Sequence, residues 1–313
     1  MPQIKIVKYI STGKIPGTLY HYYRKHINNL FSRLYSLANT PFPLAVELET
    51  VNRCNNNCSF CPVSRQADTR PLARMPIELI HKIADELKAT DFSGNLDLFS
   101  NNEPLLDTRA VEICRLFNSE VPHAIKTIYT NGMLLNYKLY IELFESGLDN
   151  LVVDNYDDDL QLIKPVKETL RLVGESENKN MENFKSKTTI LIRKKTDILT
   201  NRAGTAPNKH IEEFKFYHTY SKSPCVLPFI QFIIRPDGKI SKCCQDALGQ
   251  ETLGDINKST IKSIWNGENF NRLRTNLLRK GRYSENLCNK CDVSILRPGL
   301  LLKSISSKFP DIS

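Results

Sequence analysis

Between Leu44 and Ile192 the chain switches repeatedly between short apolar runs and helical periodicity, and no other feature constrains its fold as much. Leu44–Val51, Leu96–Phe99, Ile125–Tyr129, Leu151–Val153 and Thr188–Ile192 read as strands, with Ile198–Thr200 as a short sixth. Helical periodicity fills the gaps. Pro76 opens one helix, whose Ile77, Ile80, Ile83 and Leu87 fall on one face. Val111–Phe117 and Tyr137–Phe144 follow, the latter closed by Gly147, and Pro165–Val173 is a further helix. Residues 174–186, rich in Glu, Asn, Ser and Lys, read as a loop. Such alternation predicts a parallel sheet with helical crossovers. The fold class expected is α/β, a partial (β/α)6 barrel of the TIM type, with its chemistry at the C-terminal ends of the strands.

The flanks differ in pattern. Residues 1–43 are basic, and Leu19, Tyr23, Ile27, Leu30, Phe31 and Leu34 recur at helical spacing. They predict a helical extension that packs on the main domain or, through residues 17–38, lies weakly on a membrane surface. After residue 215, Phe229–Ile234 and Lys239–Lys242 form a hairpin across Pro236-Asp237-Gly238, and Ile261–Leu278 reads as a helix. The expected organisation is an extension over 1–43, a barrel over 44–215, a small α+β domain over 216–297 and a tail over 298–313.

No apolar run approaches the ~18 residues of a membrane span, and the N-terminus lacks a signal-peptide core. A cytoplasmic location is therefore expected, where structural disulfides are rare. Nine cysteines in such a chain point instead to metal or iron–sulfur sites. The net charge of +9 is scattered; it suits an anionic small-molecule substrate and does not call for nucleic acid.

Cys54, Cys58 and Cys61 follow the first strand with C-x3-C-x2-C spacing. Three thiolates on one short loop can hold three corners of an iron–sulfur cubane and leave one iron open to an outside ligand. Zinc would want a fourth protein ligand, which would have to come from a distance.

This run, with Phe60 just before the last cysteine, resembles the radical S-adenosylmethionine (radical SAM) superfamily, over roughly residues 44–295. Asn101-Asn102-Glu103-Pro104, after the second strand, resembles the family's Gly-Gly-Glu-Pro motif, with asparagines at both glycine positions. Thr130-Asn131-Gly132 resembles the family's Thr-Asn-Gly turn. The resemblance implies that Cys54, Cys58 and Cys61 hold a [4Fe-4S] cluster. It implies further that Phe60, Asn101, Asn102, Glu103, Asn131, Asp154 and Arg193 bind S-adenosylmethionine. Glu103 would take the methionine amino group, Asp154 the ribose and Arg193 (or Lys194) the carboxylate. A reductant such as flavodoxin or ferredoxin would supply the electron.

Cys225, Cys243, Cys288 and Cys291 make a second set, with 17 residues between the first two and 44 between Cys243 and Cys288. With Ile261-Lys262-Ser263-Ile264-Trp265 between them, they resemble SPASM and twitch extensions of radical SAM enzymes. The count fits one auxiliary [4Fe-4S] cluster with four cysteine ligands; zinc on the same residues is the alternative. The spacing Gly238-x4-Cys243 favours Cys243 over Cys244 as ligand, and Cys114, inside an apolar helix, reads as core. The spacing most resembles aminocyclitol-oxidising radical SAM dehydrogenases. This implies two-electron oxidation of a secondary alcohol on a sugar, aminocyclitol or glycan precursor, with the auxiliary cluster accepting an electron. Epimerisation or peptide modification is the alternative chemistry. Arg202, in Asn201-Arg202-Ala203-Gly204, is the residue assigned to substrate.

Overall fold

Residues 3–8, Leu30, 41–197, 200–208 and 224–293 are described by a computed structural model. The helix predicted over 19–34, the proposed membrane contact over 17–38, most of the strand at Ile198–Thr200 and the tail lie outside the described residues.

The chain divides into two compact units. The first comprises Met1–Ser11, Glu47–Asp197 and Arg235–Asp237, and the second Thr12–Val46, Ile198–Ile234 and Gly238–Ser313. The division at Asp197/Ile198 falls inside the segment that sequence patterning assigns to the barrel.

In the first unit the strands are β1 (Lys5–Lys8), β2 (Ala45–Leu48), β3 (Asn95–Asp97), β4 (Ile125–Thr130), β5 (Asn150–Tyr156) and β6 (Thr188–Arg193). Their order is β1-β6-β5-β4-β3-β2, and the pairs from β1 through β3 are parallel. The partial barrel predicted from alternation is thus present, with one correction. The segment Lys5–Lys8, assigned to a helical extension, is a strand beside β6. Its β-branched Ile6 and Val7 favour extended backbone, and Ile6 stays half exposed, as an edge strand allows.

Helices α1 (Ile77–Lys88), α2 (Ala110–Glu120), α3 (Tyr137–Glu145) and α4 (Lys164–Glu175) connect the strands. Each buries a stripe at helical spacing: Ile80, Ile83 and Leu87 in α1, and Ile113, Cys114 and Phe117 in α2. Each such side chain contributes about 1.5–3 kcal/mol by leaving water. Residues 181–186, read from sequence as loop, form the short helix α5 (Met181–Ser186). Two anchors explain it, since Met181 and Phe184 are buried and Phe184 stacks on Phe144 with ring centroids 4.9 Å apart. The surrounding polar residues hid that signal.

Along β5 and β6 burial alternates. Leu151, Val153 and Asn155, with Thr188, Ile190 and Ile192, are buried on one face. Asp154, Tyr156 and Arg193 fall on the other, and Tyr156 stands in register with Arg193. The pleat therefore delivers these three side chains together at the C-terminal strand ends.

The second unit carries the predicted hairpin, β7 (Gln231–Ile234) against β8 (Lys239–Ser241), and a strand that the sequence reading missed, β9 (Thr252–Asp255). The single helix predicted over Ile261–Leu278 is two, α6 (Ile261–Trp265) and α7 (Glu268–Lys280), broken at Gly267. A Cβ at Gly267 would sit 3.0 Å from the carbonyl oxygen of Ser263, a tight approach at the break between the two helices. Trp265, Phe270 and Phe232 form the core there, and the Arg274 guanidinium lies 4.0 Å from the Trp265 ring centre.

Candidate iron–sulfur and S-adenosylmethionine site

The loop carrying Cys54, Cys58 and Cys61 is pinned at its base. Asn52 donates its Nδ2 to Pro71 and accepts the N–H of Ala73, while Arg70 bridges Glu49 at 3.1 Å and Asp68 at 2.9 Å. Inside the loop, the N–H of Cys61 reaches the carbonyl of Cys58, and that of Ser64 the carbonyl of Cys61. Ser59 donates both its N–H and Oγ to the carbonyl of Lys195, which ties the loop to the residues after β6.

The three thiols are free, and Cys58 is buried. Burial first, then the neighbouring charges of Glu103 and Cys61, pushes the Cys54 thiol up to about 12. Burial followed by the charges of Cys61 and Cys54 raises Cys58 further. Thiolates so placed need a compensating positive centre, which iron would provide. Two N–H groups already point at Cys54 Sγ, that of Asn56 at 3.4 Å and Asn131 Nδ2 at 3.7 Å.

Glu103 is 1% exposed and binds the neighbouring turns together. Its N–H donates to the carbonyl of Arg53 at 2.8 Å. Its Oε1 accepts from Thr130 Oγ1 at 2.7 Å and from the N–H of Leu105 at 3.0 Å, and Oε2 from the N–H of Asn131 at 2.7 Å. A carboxylate offers about four acceptor sites, so three are filled from within the chain and one remains for an ammonium group. Burial raises Glu103 to about 7, against the pull of these hydrogen bonds. Beside it, Asn102 accepts the N–H of Ser100, while its buried Nδ2 has no hydrogen-bond partner among the described residues. A buried donor without an acceptor and a buried acid without a cation are what a bound amino-acid zwitterion would satisfy. Asn101 is buried in the same turn.

Asp154 and Arg193, assigned from the resemblance to ribose and carboxylate, pair with each other, Arg193 Nε to Asp154 Oδ1 at 3.1 Å. Both stay partly open to solvent, Asp154 at 20% and Arg193 at 17%. Phe60 is buried and packs on Tyr156, with centroids 5.6 Å apart. The sequence reading missed Tyr156 and Glu47. Burial, then the charges of Asp154 and Cys58, hold the Tyr156 phenol well above its usual value. Glu47 accepts from Ser100 Oγ at 3.0 Å. The pleat alternation beyond Asp154 would have found Tyr156.

In the second unit, Cys225, Cys243, Cys244 and Cys291 surround an apolar cluster of Val226, Leu227, Phe229, Ile230 and Val293. Burial and then the charges of Cys244, Cys288, Cys291 and Cys225 raise Cys243 strongly. Cys288 rises to about 12 and Cys291 to about 11, both chiefly through burial. Cys244 accepts from Gln245 Nε2 at 3.6 Å. Among the described residues, no three His, Cys, Asp or Glu side chains converge as a single metal ion requires.

Arg202 donates Nη1 to the carbonyl of Cys244 at 3.3 Å. Its turn is strained, with φ of +48° at Arg202 and +51° at Ala203. Asn201, fully buried, holds the turn: its N–H donates to Asp292 Oδ1 at 2.9 Å, and its Oδ1 accepts the N–H of Asp292 at 3.2 Å.

Comparison with known proteins agrees with this geometry. Residues 48–192 match the model of the Radical SAM superfamily, and residues 225–292 that of SPASM, an iron-sulfur cluster-binding domain. A curated relative from Niallia circulans, S-adenosyl-L-methionine-dependent 2-deoxy-scyllo-inosamine dehydrogenase, is 24% identical over 249 residues, 79% of this chain and 92% of the relative. The solved structure of BtrN in complex with AdoMet and 2-DOIA superposes with a TM-score of 0.66 at 24% identity, covering 80% of this chain and 93% of BtrN. Native anSMEcpe with bound AdoMet gives a TM-score of 0.52 at 14% identity, over 86% of this chain and 96% of that one. Residues 48–192 thus carry a radical SAM domain, and residues 225–292 a SPASM iron–sulfur cluster-binding domain.

Proposed function

We propose that the chain oxidises a secondary alcohol on a sugar, aminocyclitol or glycan precursor to a ketone, with an auxiliary [4Fe-4S] cluster at Cys225, Cys243, Cys288 and Cys291 as electron acceptor. The observation that carries this reading is likeness to a curated S-adenosyl-L-methionine-dependent 2-deoxy-scyllo-inosamine dehydrogenase over 92% of its length. Four thiolates close the auxiliary site, which suits it to electron exchange rather than to substrate binding.

When bound, S-adenosylmethionine and the cluster at Cys54, Cys58 and Cys61 supply a carbon-centred radical that removes hydrogen from the substrate. The protein's own residues hold and orient. Glu103 presents its remaining acceptor site to the methionine ammonium, and Asn102 Nδ2 donates to the same ligand. Arg193 and Asp154 offer a cation and an anion to carboxylate and ribose, and Tyr156 backs Phe60 beside them. Arg202, with its planar fork, is the substrate-facing candidate of the second unit. A flavodoxin or ferredoxin is the proposed reductant.

The test is anaerobic turnover of 2-deoxy-scyllo-inosamine and related cyclitols deuterated at the carbinol carbon. Deuterium is expected in 5′-deoxyadenosine, with a ketone as product, and Cys244→Ala is expected to retain turnover. An inverted alcohol carrying solvent hydrogen, abolished by Cys244→Ala, would overturn oxidation in favour of epimerisation.

A further inference from the structure

Two buried cations stand beside the auxiliary cysteines. Arg282 is 1% exposed and follows α7 directly, in a turn that Gly281 enters with φ of +78°. Its Nη1 donates to the carbonyl of Val293 at 2.6 Å and to that of Cys291 at 3.5 Å. Lys242, next to Cys243 in sequence, is 2% exposed. Its Nζ lies 2.6 Å from Glu251 and 3.0 Å from Glu285. It also donates to the carbonyl of Asn286 at 3.1 Å, the same oxygen that accepts the N–H of Cys288. The ammonium is therefore matched against two carboxylates, while the guanidinium holds the backbone of a predicted ligand directly.

Charges buried this close act through a medium of low dielectric. Iron–sulfur potentials respond to local net charge and solvent exposure. We propose that Arg282 is a positioning charge that raises the reduction potential of the auxiliary cluster, and that Glu285, through Lys242, opposes it. The inference rests on the reading of Cys225, Cys243, Cys288 and Cys291 as cluster ligands. A raised potential would suit a site that takes an electron from substrate.

The test uses the full-length chain carrying C54A, C58A and C61A, so that the auxiliary cluster is observed alone. Iron is counted, and the potential is read by an anaerobic titration followed by electron paramagnetic resonance. Arg282→Gln should retain its iron and lower the potential by the equivalent of about tenfold in the reduction equilibrium, ~59 mV for a one-electron couple. Arg282→Lys, which keeps the charge, should lie close to the parent. Glu285→Gln should move the potential upward. Should Arg282→Gln lose its iron, Glu285→Gln and Arg282→Lys decide. Unmoved potentials, or shifts of one sign in both Gln variants, would overturn the inference with the cluster intact. A parent chain that binds no iron would overturn the ligand assignment and the inference with it.

Discussion

Asn131 reaches Glu103 and Cys54 at once: its backbone N–H donates to Glu103 Oε2 at 2.7 Å, while its side-chain amide donates to Cys54 Sγ at 3.7 Å. The turn after β4 thus joins the acid assigned to the methionine group with a cysteine assigned to iron. Glu103→Ala is expected to weaken S-adenosylmethionine binding at least tenfold, about 1.4 kcal/mol, because the ammonium loses a charged acceptor. Equilibrium binding to the reconstituted protein measures it, and unchanged affinity would refute the role of Glu103.

Asn131→Ala separates the two contacts. The backbone bond to Glu103 survives, but the N–H···S contact to Cys54 is lost. Hydrogen bonds to ligand sulfurs raise cluster potentials, so the first cluster should become harder to reduce. A redox titration of a chain lacking the auxiliary cysteines reads the shift.

Glu49 and Glu103 both rise from an ordinary 4.5 to about 7, chiefly through burial. Between those values the folded state holds more protons than the unfolded one, so stability falls as pH rises. The metal-free, ligand-free chain should lose thermal stability from pH 5 to pH 8, with the loss complete above about 7. Glu103→Ala should flatten that slope in part. A midpoint that climbs over this window would contradict the placement of both acids.

Gly132 takes φ of +75°, and a Cβ there would lie 2.6 Å from Val166 and 2.8 Å from Val153. Gly132→Ala is expected to cost about 1–3 kcal/mol and to disturb the adjacent Thr130 and Asn131 contacts. Thermal unfolding and S-adenosylmethionine affinity should fall together; a stable variant with normal affinity would show that the turn tolerates a side chain.

Much of this was legible in the sequence, for physical reasons that particular residues display. Strand–helix alternation marks β2 to β6 because short runs, rich in β-branched residues in β4 and β6, stand between amphipathic helices. The two cysteine sets stand out in the sequence because Cys54, Cys58 and Cys61 share one short run and Cys288 and Cys291 another. What patterning missed depended on contacts distant in sequence. Lys5–Lys8 becomes a strand only because β6 offers it an edge, and α5 forms because Phe184 meets Phe144. The pairing of Asp154 with Arg193 follows from register between β5 and β6, which neither strand encodes alone.

The assignment of Cys243 rather than Cys244 is directly testable. Cys243→Ala should drop the reconstituted iron from about eight to about four per chain, whereas Cys244→Ala should leave it unchanged. The reverse result would transfer the ligand role to Cys244.

The strained turn at Arg202 and Ala203 has a bearing on biogenesis. Asn201 and Asp292 clasp each other across 91 positions of sequence. A nascent chain that has emerged only through β9 has no Asp292 to hold the turn. Its left-handed residues would then relax, and Arg202 would leave the carbonyl of Cys244. The contacts that hold the turn thus come from the same C-terminal segment that carries Cys288 and Cys291, so the turn as seen here requires that segment.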